Sequence, residues 1–289
     1  KNERGASYIV KGWLVYTKER AKLNRGFIDW FLAEASDLGI DLELVMREDL
    51  QIGIRNHQLY IGNKVLPDFA IVRCIDPLFS KQLYNLGVAV YNPPEVAEIT
   101  NDKAKTHQYL AMDHIPMVDT IFTTKQQLQE SVPLPFPFIV KQVKGHGGKD
   151  VYMIQDEAEL IEILPKLTND VIVQRLAQKG KDVRVYILGK EIIGAFLRSS
   201  NQDFRSNFTL GGNAEVYPLS EKQKALINKI ISIFDFGLVG VDFVFDDQGN
   251  FLFNEIEDVV GCRMISSLTD INIARKYISW IQQRIEGKA

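Results

Sequence analysis

Cysteine is nearly absent from this sequence, which contains only Cys74 and Cys262. Two cysteines so far apart in sequence do not suggest a disulfide framework or a cysteine-based zinc site. No apolar run reaches the length of a membrane-spanning helix, and the N-terminus lacks the pattern of a signal peptide. These absences predict a cytoplasmic enzyme that does not bind a membrane. Because the sequence begins with Lys1 and not Met, we expect its start to be trimmed.

The chain also lacks an excess of charge of one sign. It has 34 basic and 37 acidic residues, which gives a formal net charge of −3. This balance disfavours nucleic-acid binding, and a phosphate-bearing ligand would need a local cluster of cations. With 289 residues, of which 46% are hydrophobic, the chain can bury a large core and is expected to form two or three domains or subdomains.

A carboxylate-rich hairpin near the C-terminus is the most informative pattern that is present. A turn at Gln248-Gly249 would pair Asp242 with Glu255, and the two-residue period of a strand adds Glu257 to the same face. Three carboxylates so close together repel one another unless a cation lies between them. Oxygen ligands suit a hard cation, so the hairpin predicts a site for Mg²⁺ or Mn²⁺. The alternative is a solvated pair of acidic strands.

The apolar residues of this hairpin argue against the solvated alternative. The same register puts Val244 and Phe253 on the acid-bearing face, where they would make unpaired charge costly. The opposite face is expected to pack on a core, and it carries Val241, Phe243, Phe245, Leu252 and Ile256.

Strands and helices alternate over the first third of the chain. This alternation predicts a small parallel α/β domain that ends near Pro93-Pro94, with a small hairpin around Gly62-Asn63. A helix capped by Asn101 is predicted next, over Asp102 to Met112.

Lys141 interrupts the apolar strand Phe138 to Val143. A lysine in that place must reach the edge of the sheet or meet an anion, and a bound phosphate would satisfy it. The next segment contains glycines whose backbone amides could approach phosphate oxygens, namely Gly145, Gly147 and Gly148. A glycine-rich hairpin turn is the alternative. The segment is not a P-loop, because Asp150 stands where Ser or Thr is needed.

A series of short motifs follows in a fixed order along nearly the whole chain. They are Asn101–Thr106, Phe138–Lys141 with its glycine loop, Val173-Gln174, Asp182–Arg184, Asp203–Asn207, Gly211-Gly212, Gly240–Asp242 and Asn254–Glu257. In this order they resemble the ATP-grasp ligases, and in detail the RimK-like branch, which attaches amino acids such as glutamate to carboxylates. The resemblance implies an α/β (α+β) fold in which two α+β subdomains clasp ATP behind a small parallel α/β domain. The expected domains are 1–96, a central subdomain 97–170 and a C-terminal subdomain 171–289.

The resemblance also implies roles for individual residues. Those expected to bind the nucleotide are Lys103, Lys141, Gly145, Gly147, Gly148, Gln174, Arg175, Leu176, Ala177, Asp182, Arg184 and Asn207. Those expected to act in catalysis are the cations Lys141, Arg184 and Arg205. Those expected to hold Mg²⁺ or Mn²⁺, with two ions, are Asp242, Glu255 and Glu257. The third metal ligand of the family is commonly Asn, and Glu257 stands in its place.

The activity implied by the resemblance is that of an ATP-dependent carboxylate–amine ligase. Such an enzyme forms an amide or peptide bond through an acyl phosphate and releases ADP and phosphate. Its substrates would be a small carboxylate and an amine, or a peptide or protein terminus. The identity of these substrates and the assembly of the chain, a homo-oligomer included, stay open. The alternatives are a regulatory protein that binds ATP and metal without catalysis, and an ATP-grasp kinase.

Overall fold

The computed structural model describes residues 8–62, 64–201, 204 and 212–287. The strands are β1 (Lys11–Tyr16), β2 (Asp41–Met46), β3 (Ile52–Arg55), β4 (Gln58–Ile61), β5 (Phe69–Val72), β6 (Ala89–Tyr91), β7 (Thr120–Thr124), β8 (Phe138–Gln142), β9 (Val151–Ile154), β10 (Asp170–Gln174), β11 (Lys181–Leu188), β12 (Glu191–Ser199), β13 (Asn213–Val216), β14 (Leu238–Phe245) and β15 (Phe251–Glu257). The helices are α1 (Lys18–Leu23), α2 (Arg25–Asp37), α3 (Pro77–Asn85), α4 (Pro94–Thr100), α5 (Lys103–Ala111), α6 (Lys125–Glu130), α7 (Glu157–Ile163), α8 (Glu221–Ile233), α9 (Arg263–Leu268) and α10 (Ile273–Ile285). In the described part of the chain, no helix combines the length and the apolar character that crossing a bilayer requires.

The first of two structural units holds a four-stranded parallel sheet in the order β2-β1-β5-β6. The unit comprises the described residues up to Ala97, the short segment Phe236–Leu238 and the residues from Gly261 onward. Its strand β5 is buried along its whole length, as a central parallel strand is, and α2 packs on β2 and α10. The parallel α/β fold predicted for this part of the sequence is confirmed.

The hairpin of this unit differs from the predicted one. We expected it around Gly62-Asn63, whereas β3 pairs with β4 across a turn at Asn56 and His57. Both turn residues are left-handed, with φ of 50° and 65°. Positive φ at both positions is the conformation of a type I′ turn, which Asn tolerates better than most residues.

The second unit comprises Glu98–Asp235 and Val239–Val260 and contains two antiparallel sheets. The smaller sheet has the order β7-β10-β8-β9, and α6 and α7 cover it through a core that includes Leu128, Phe138 and Leu160. The larger sheet has the order β13-β12-β11-β14-β15. The mixed α/β and α+β class predicted from the sequence is confirmed, and the boundaries at 96/97 and 170/171 stay predictions.

Candidate functional site

The acidic hairpin of β14 and β15 brings three carboxylates together, all within the second unit. Asp242 lies directly opposite Glu255, as predicted, and Glu257 lies opposite Gly240. One oxygen from each of the three carboxylates lies within 4.8 Å of the others. A cluster of oxygen ligands this tight fits a hard divalent cation.

Between the Asp242–Glu255 pair and the turn of the hairpin, the predicted register is wrong. The pairing shifts by one residue, so that Phe243 lies opposite Phe253 and Val244 lies opposite Leu252. An extra residue in one strand turns every following side chain to the other face of the sheet. Phe253 is therefore a core residue, with no exposed surface, and Leu252 takes the place predicted for it beside Val244.

The bulge also brings a residue with no predicted role, Asn254, to the acidic side. Its Oδ1 accepts a hydrogen bond of 2.8 Å from Lys141 Nζ. Lys141 is the buried lysine of β8, where only 8% of the residue is exposed. Burial lowers the pKa of Lys141 to about 8, although the nearby Glu255 carboxylate opposes the shift. The lysine expected to meet an anion thus lies beside the carboxylate cluster.

Lys103 approaches the same cluster from the first turn of α5. Its Nζ donates to the Gly145 carbonyl at 2.7 Å and to the Glu255 carboxylate. The helix is capped by Asp102, whose carboxylate accepts from the backbone N–H of Lys105. The predicted cap, Asn101, is wrong by one residue, because a cap oxygen must lie three residues before the N–H it accepts.

Two arginines neutralise the buried carboxylates. Arg184 on β11 binds Asp242 through two bonds of 2.7 Å, and its Nη2 also lies 3.2 Å from Glu257 Oε1. Arg198, directly opposite Asp182 across the β11–β12 pair, binds Asp182 through Nε at 2.7 Å and Asp242 through Nη2 at 2.8 Å. Negative and positive groups therefore alternate in the order Asp182, Arg198, Asp242, Arg184 and Glu257.

Burial and charge act in opposite directions on the pKa values of these carboxyls. Burial raises the pKa of Asp242, but the guanidiniums of Arg184 and Arg198 outweigh it and hold the pKa at about 2. Burial raises the pKa of Glu257, and the neighbouring Glu255 carboxylate adds to the rise against the opposing charge of Arg184. A bound cation would relieve the repulsion between the Glu255 and Glu257 carboxylates.

Gly240 leaves the space through which the Arg184 side chain passes. A Cβ at this position would lie 2.7 Å from Val260 Cγ2 and 3.4 Å from Arg184 Cδ. The first distance is shorter than side-chain carbons approach one another, so no larger residue fits without displacement of its neighbours.

The glycine loop joins β8 to β9, which pair Lys141 with Val151. Gly147 and Gly148 have φ of 68° and 72°, a conformation that favours glycine. Gly148 lines the cleft described below, and the Gly145 carbonyl binds Lys103.

A cleft opens in front of these charges. Among the residues predicted to bind nucleotide or metal, those that line it are Lys141, Gly148, Gln174, Arg175, Leu176, Ala177, Asp182, Arg184, Asp242, Glu255 and Glu257. Apolar walls come from residues such as Val118, Ile139 and Val244. A mixture of apolar walls and a few placed charges is typical of a ligand site. The predicted residues Arg205 and Asn207 lie outside the described part of the chain.

The sequence analysis missed Arg198, which lines the cleft and binds two buried carboxylates. Replacing it by Met would leave two buried carboxylates with one counter-charge fewer. We therefore expect Arg198→Met to lower the free energy of unfolding by about 3–5 kcal/mol in urea denaturation. Arg175→Met is the matched control, because its 3.0 Å pair with Asp119 is exposed and should contribute less than about 1 kcal/mol. Equal losses in the two variants would contradict a role for Arg198 in holding the network.

Comparisons with known proteins agree on one family. Residues 100–281 match the sequence model of the RimK-like ATP-grasp domain. Human N-acetylaspartylglutamate synthase A is 31% identical over 255 residues, which cover 80% of this chain and 65% of the human protein. The chain thus spans less than two thirds of the length of that relative.

Solved structures share the fold. The RimK domain ATP-grasp protein from Sphaerobacter thermophilus has a TM-score of 0.74 at 17% identity, covering 94% of this chain and 99% of that chain. The ATP-grasp ligase PsnB, complexed with a phosphomimetic variant of its minimal precursor, Mg and ADP, has a TM-score of 0.69 at 18% identity, covering 94% and 98%. Since the domain match extends over more than half of its residues, the chain belongs to the RimK-like ATP-grasp family.

Proposed function

We propose that this chain is an ATP-dependent carboxylate–amine ligase that forms an amide or peptide bond and releases ADP and phosphate. The observation that carries the proposal is a single cleft in which lysine and arginine cations face three clustered carboxylates. Similarity to curated relatives that are named a synthase and a ligase supports it.

Asp242, Glu255 and Glu257 are the residues that would hold Mg²⁺ or Mn²⁺, and we expect two ions. Their oxygens form a cluster without nitrogen or sulfur ligands, which is the chemistry that hard cations prefer. When bound, such ions neutralise the negative charge of transferring phosphoryl groups. The presence of Mg and ADP in the PsnB structure supports this proposal.

The nucleotide would occupy the cleft with its phosphates toward the lysines. Lys103 and Lys141 would bind phosphate oxygens, assisted by backbone amides of the glycine loop. The segment Gln174 to Ala177 would contact adenine, and Asp182 would lie near the ribose. The two lysines are already held beside the carboxylate cluster by Gly145 and Asn254, so little reorganisation is needed to receive an anion.

The reaction needs positive charge more than it needs a protein nucleophile. A carboxylate resists attack by an amine, so ATP first converts it to an acyl phosphate, and the amine then displaces phosphate. Both steps place negative charge on phosphoryl oxygens, which Lys141, Arg184 and Arg205 would stabilise. We propose an amino acid such as glutamate as the amine, and a small carboxylate or a peptide or protein terminus as the acid. A cytoplasmic location stays a prediction of the sequence.

The proposal is tested by release of ADP and free phosphate with Mg²⁺ or Mn²⁺ and pooled acids, amino acids and small peptides. We expect release that requires both an acid and an amine and that is lost in Glu255→Gln. Glu221→Gln is the control, because that exposed glutamate lies on α8, outside the cleft. Phosphate that stays attached to an acceptor would indicate a kinase instead. ATP binding without turnover in any pool would favour a regulatory protein.

A further inference from the structure

Two side chains to which no role has been given above, Gln142 and Asp150, meet at the base of the glycine loop. Gln142 Nε2 donates to Asp150 Oδ1 at 2.9 Å. Gln142 Oε1 accepts from the backbone N–H of Thr168 at 3.1 Å. An ionised carboxylate can only accept and an N–H can only donate, so a flipped carboxamide would lose both bonds. Gln142 is 8% exposed, and its side chain is thus held in one orientation.

Backbone contacts close the loop at the same place. The Gln142 N–H donates to the Asp150 carbonyl at 3.2 Å, and the Gly145 N–H donates to the Gln142 carbonyl at 3.2 Å. A Cβ at Gly145 would lie only 2.8 Å from Asp150 Cβ, so the two ends of the loop are in contact. The glycines with positive φ, Gly147 and Gly148, lie between these ends. The pair of side chains therefore ties together the two ends of the segment that contains them.

Gly145 connects this base to Lys103. The Gly145 carbonyl accepts from Lys103 Nζ at 2.7 Å, and the Lys103 N–H donates to the Val143 carbonyl at 3.0 Å. Lys103 is 7% exposed, and its Nζ also binds Glu255. Gly145 is thus held through its N–H by Gln142 and through its carbonyl by Lys103. A displacement of Gly145 would move an acceptor on which the position of the lysine ammonium depends.

We propose that Gln142 and Asp150 are positioning residues that hold the glycine loop and Lys103 in place for the phosphates of the nucleotide. Neither residue is among those that line the cleft, so the pair acts through the loop and through Lys103. A loop that is held in advance binds more tightly, because the entropy of ordering it is not lost on binding. This inference rests on the proposed binding of ATP in the cleft.

The test breaks the pair and then rebuilds it with donor and acceptor exchanged. Gln142→Glu opposes two carboxylates, and it is expected to raise the dissociation constant of the Mg²⁺ complex of ATP by about tenfold, measured by calorimetry on the full chain. Asp150→Asn keeps an acceptor oxygen for Gln142 and should change the constant by less than about twofold. In the double variant the new amide can donate to the new carboxylate, so binding should recover.

Two controls separate positioning from general damage. Adenosine has no phosphate, so its dissociation constant should stay the same in Gln142→Glu. Gln126→Glu is the matched substitution, because Gln126 Nε2 donates to Glu130 Oε1 at 3.0 Å on α6, and it should leave ATP binding unchanged. An unchanged ATP constant in a folded Gln142→Glu variant, an equal weakening of adenosine, or a double variant no better than Gln142→Glu would overturn the inference.

Hydrogen exchange tests the tie without a nucleotide. The Gly145 N–H donates to the backbone of Gln142, so its exchange should be about tenfold faster in Gln142→Glu and should slow again in the double variant. Exchange at Gly145 that is the same in all variants would also overturn the inference. Failure of the unaltered protein to bind ATP, with the expected change in exchange, would instead refute the proposed function.

Discussion

Replacing Asp242 by Asn is expected to lower ligase turnover by about 10³-fold and to weaken divalent-metal binding. The side chain is almost the same size, but its negative charge is lost. Arg184 and Arg198 both bind the Asp242 carboxylate at 2.7–2.8 Å, so two buried guanidiniums would then face a neutral amide. Their uncompensated charge would repel a cation from Glu255 and Glu257. Turnover is measured as phosphate release, and metal binding by titration with Mn²⁺.

Asp247→Asn separates this effect from a general perturbation of the hairpin. Asp247 lies in the exposed turn of the same hairpin. The same substitution there should change neither turnover nor divalent-metal binding. The Asp242 variant should also lose stability, because Asp242 has a depressed pKa of about 2 in the folded protein. A carboxyl group whose pKa is depressed in the folded protein stabilises the fold at pH values above its pKa in the unfolded chain. That stability is lost as the pH falls toward 2. Metal affinity unchanged in Asp242→Asn would refute its assignment as a ligand.

Replacing Lys141 by Met is expected to lower kcat by about 10²–10³-fold while leaving the fold intact. The methionine keeps most of the apolar stem inside β8 but removes the charge beside Asn254 and Glu255. Lys166→Met, at an exposed lysine paired with Glu162, is the control and should be silent. Full activity in the Lys141 variant would exclude this lysine from catalysis.

The pH profile supplies a second test of Lys141. Burial holds its pKa at about 8, so the lysine is charged below that pH and loses its proton as the pH rises through it. We expect kcat/KM for ATP to fall above about pH 8. In Lys141→Arg, the guanidinium stays charged, so the alkaline fall should move to higher pH even if the overall rate is lower. An unmoved alkaline limb would assign that titration to another group.

Local rules predicted the carboxylate cluster and the buried lysine. A register centred on Gln248-Gly249 predicted the Asp242–Glu255 pair, and the structure has this pair, but it forms through a register shifted by one residue near the turn and a compensating bulge at Asn254. Lys141 was recognisable because a charge interrupts an apolar strand. The same signal was present at Arg198, which follows Ala195, Phe196 and Leu197 on β12, and applying the rule there would have found it.

Other features depend on the three-dimensional structure. The alternation of apolar residues did not reveal the bulge in β15. The orientation of the Gln142 side chain is set by Asp150 and by Thr168, which lies 26 residues away in sequence. Neither feature has a sequence period. Roles for Arg205 and Asn207 stay predictions, since both residues lie outside the described part of the chain.

Gly240 also sets where the charges of the cleft lie. The space above it is already narrow, because a Cβ there would lie 2.7 Å from Val260 Cγ2 and 3.4 Å from Arg184 Cδ. A methyl group at this position would push the Arg184 stem away from Asp242 and Glu257 while leaving every charged residue in the sequence unchanged. The Gly-x-Asp spacing of β14 therefore encodes the position of a counter-charge as well as the position of a carboxylate.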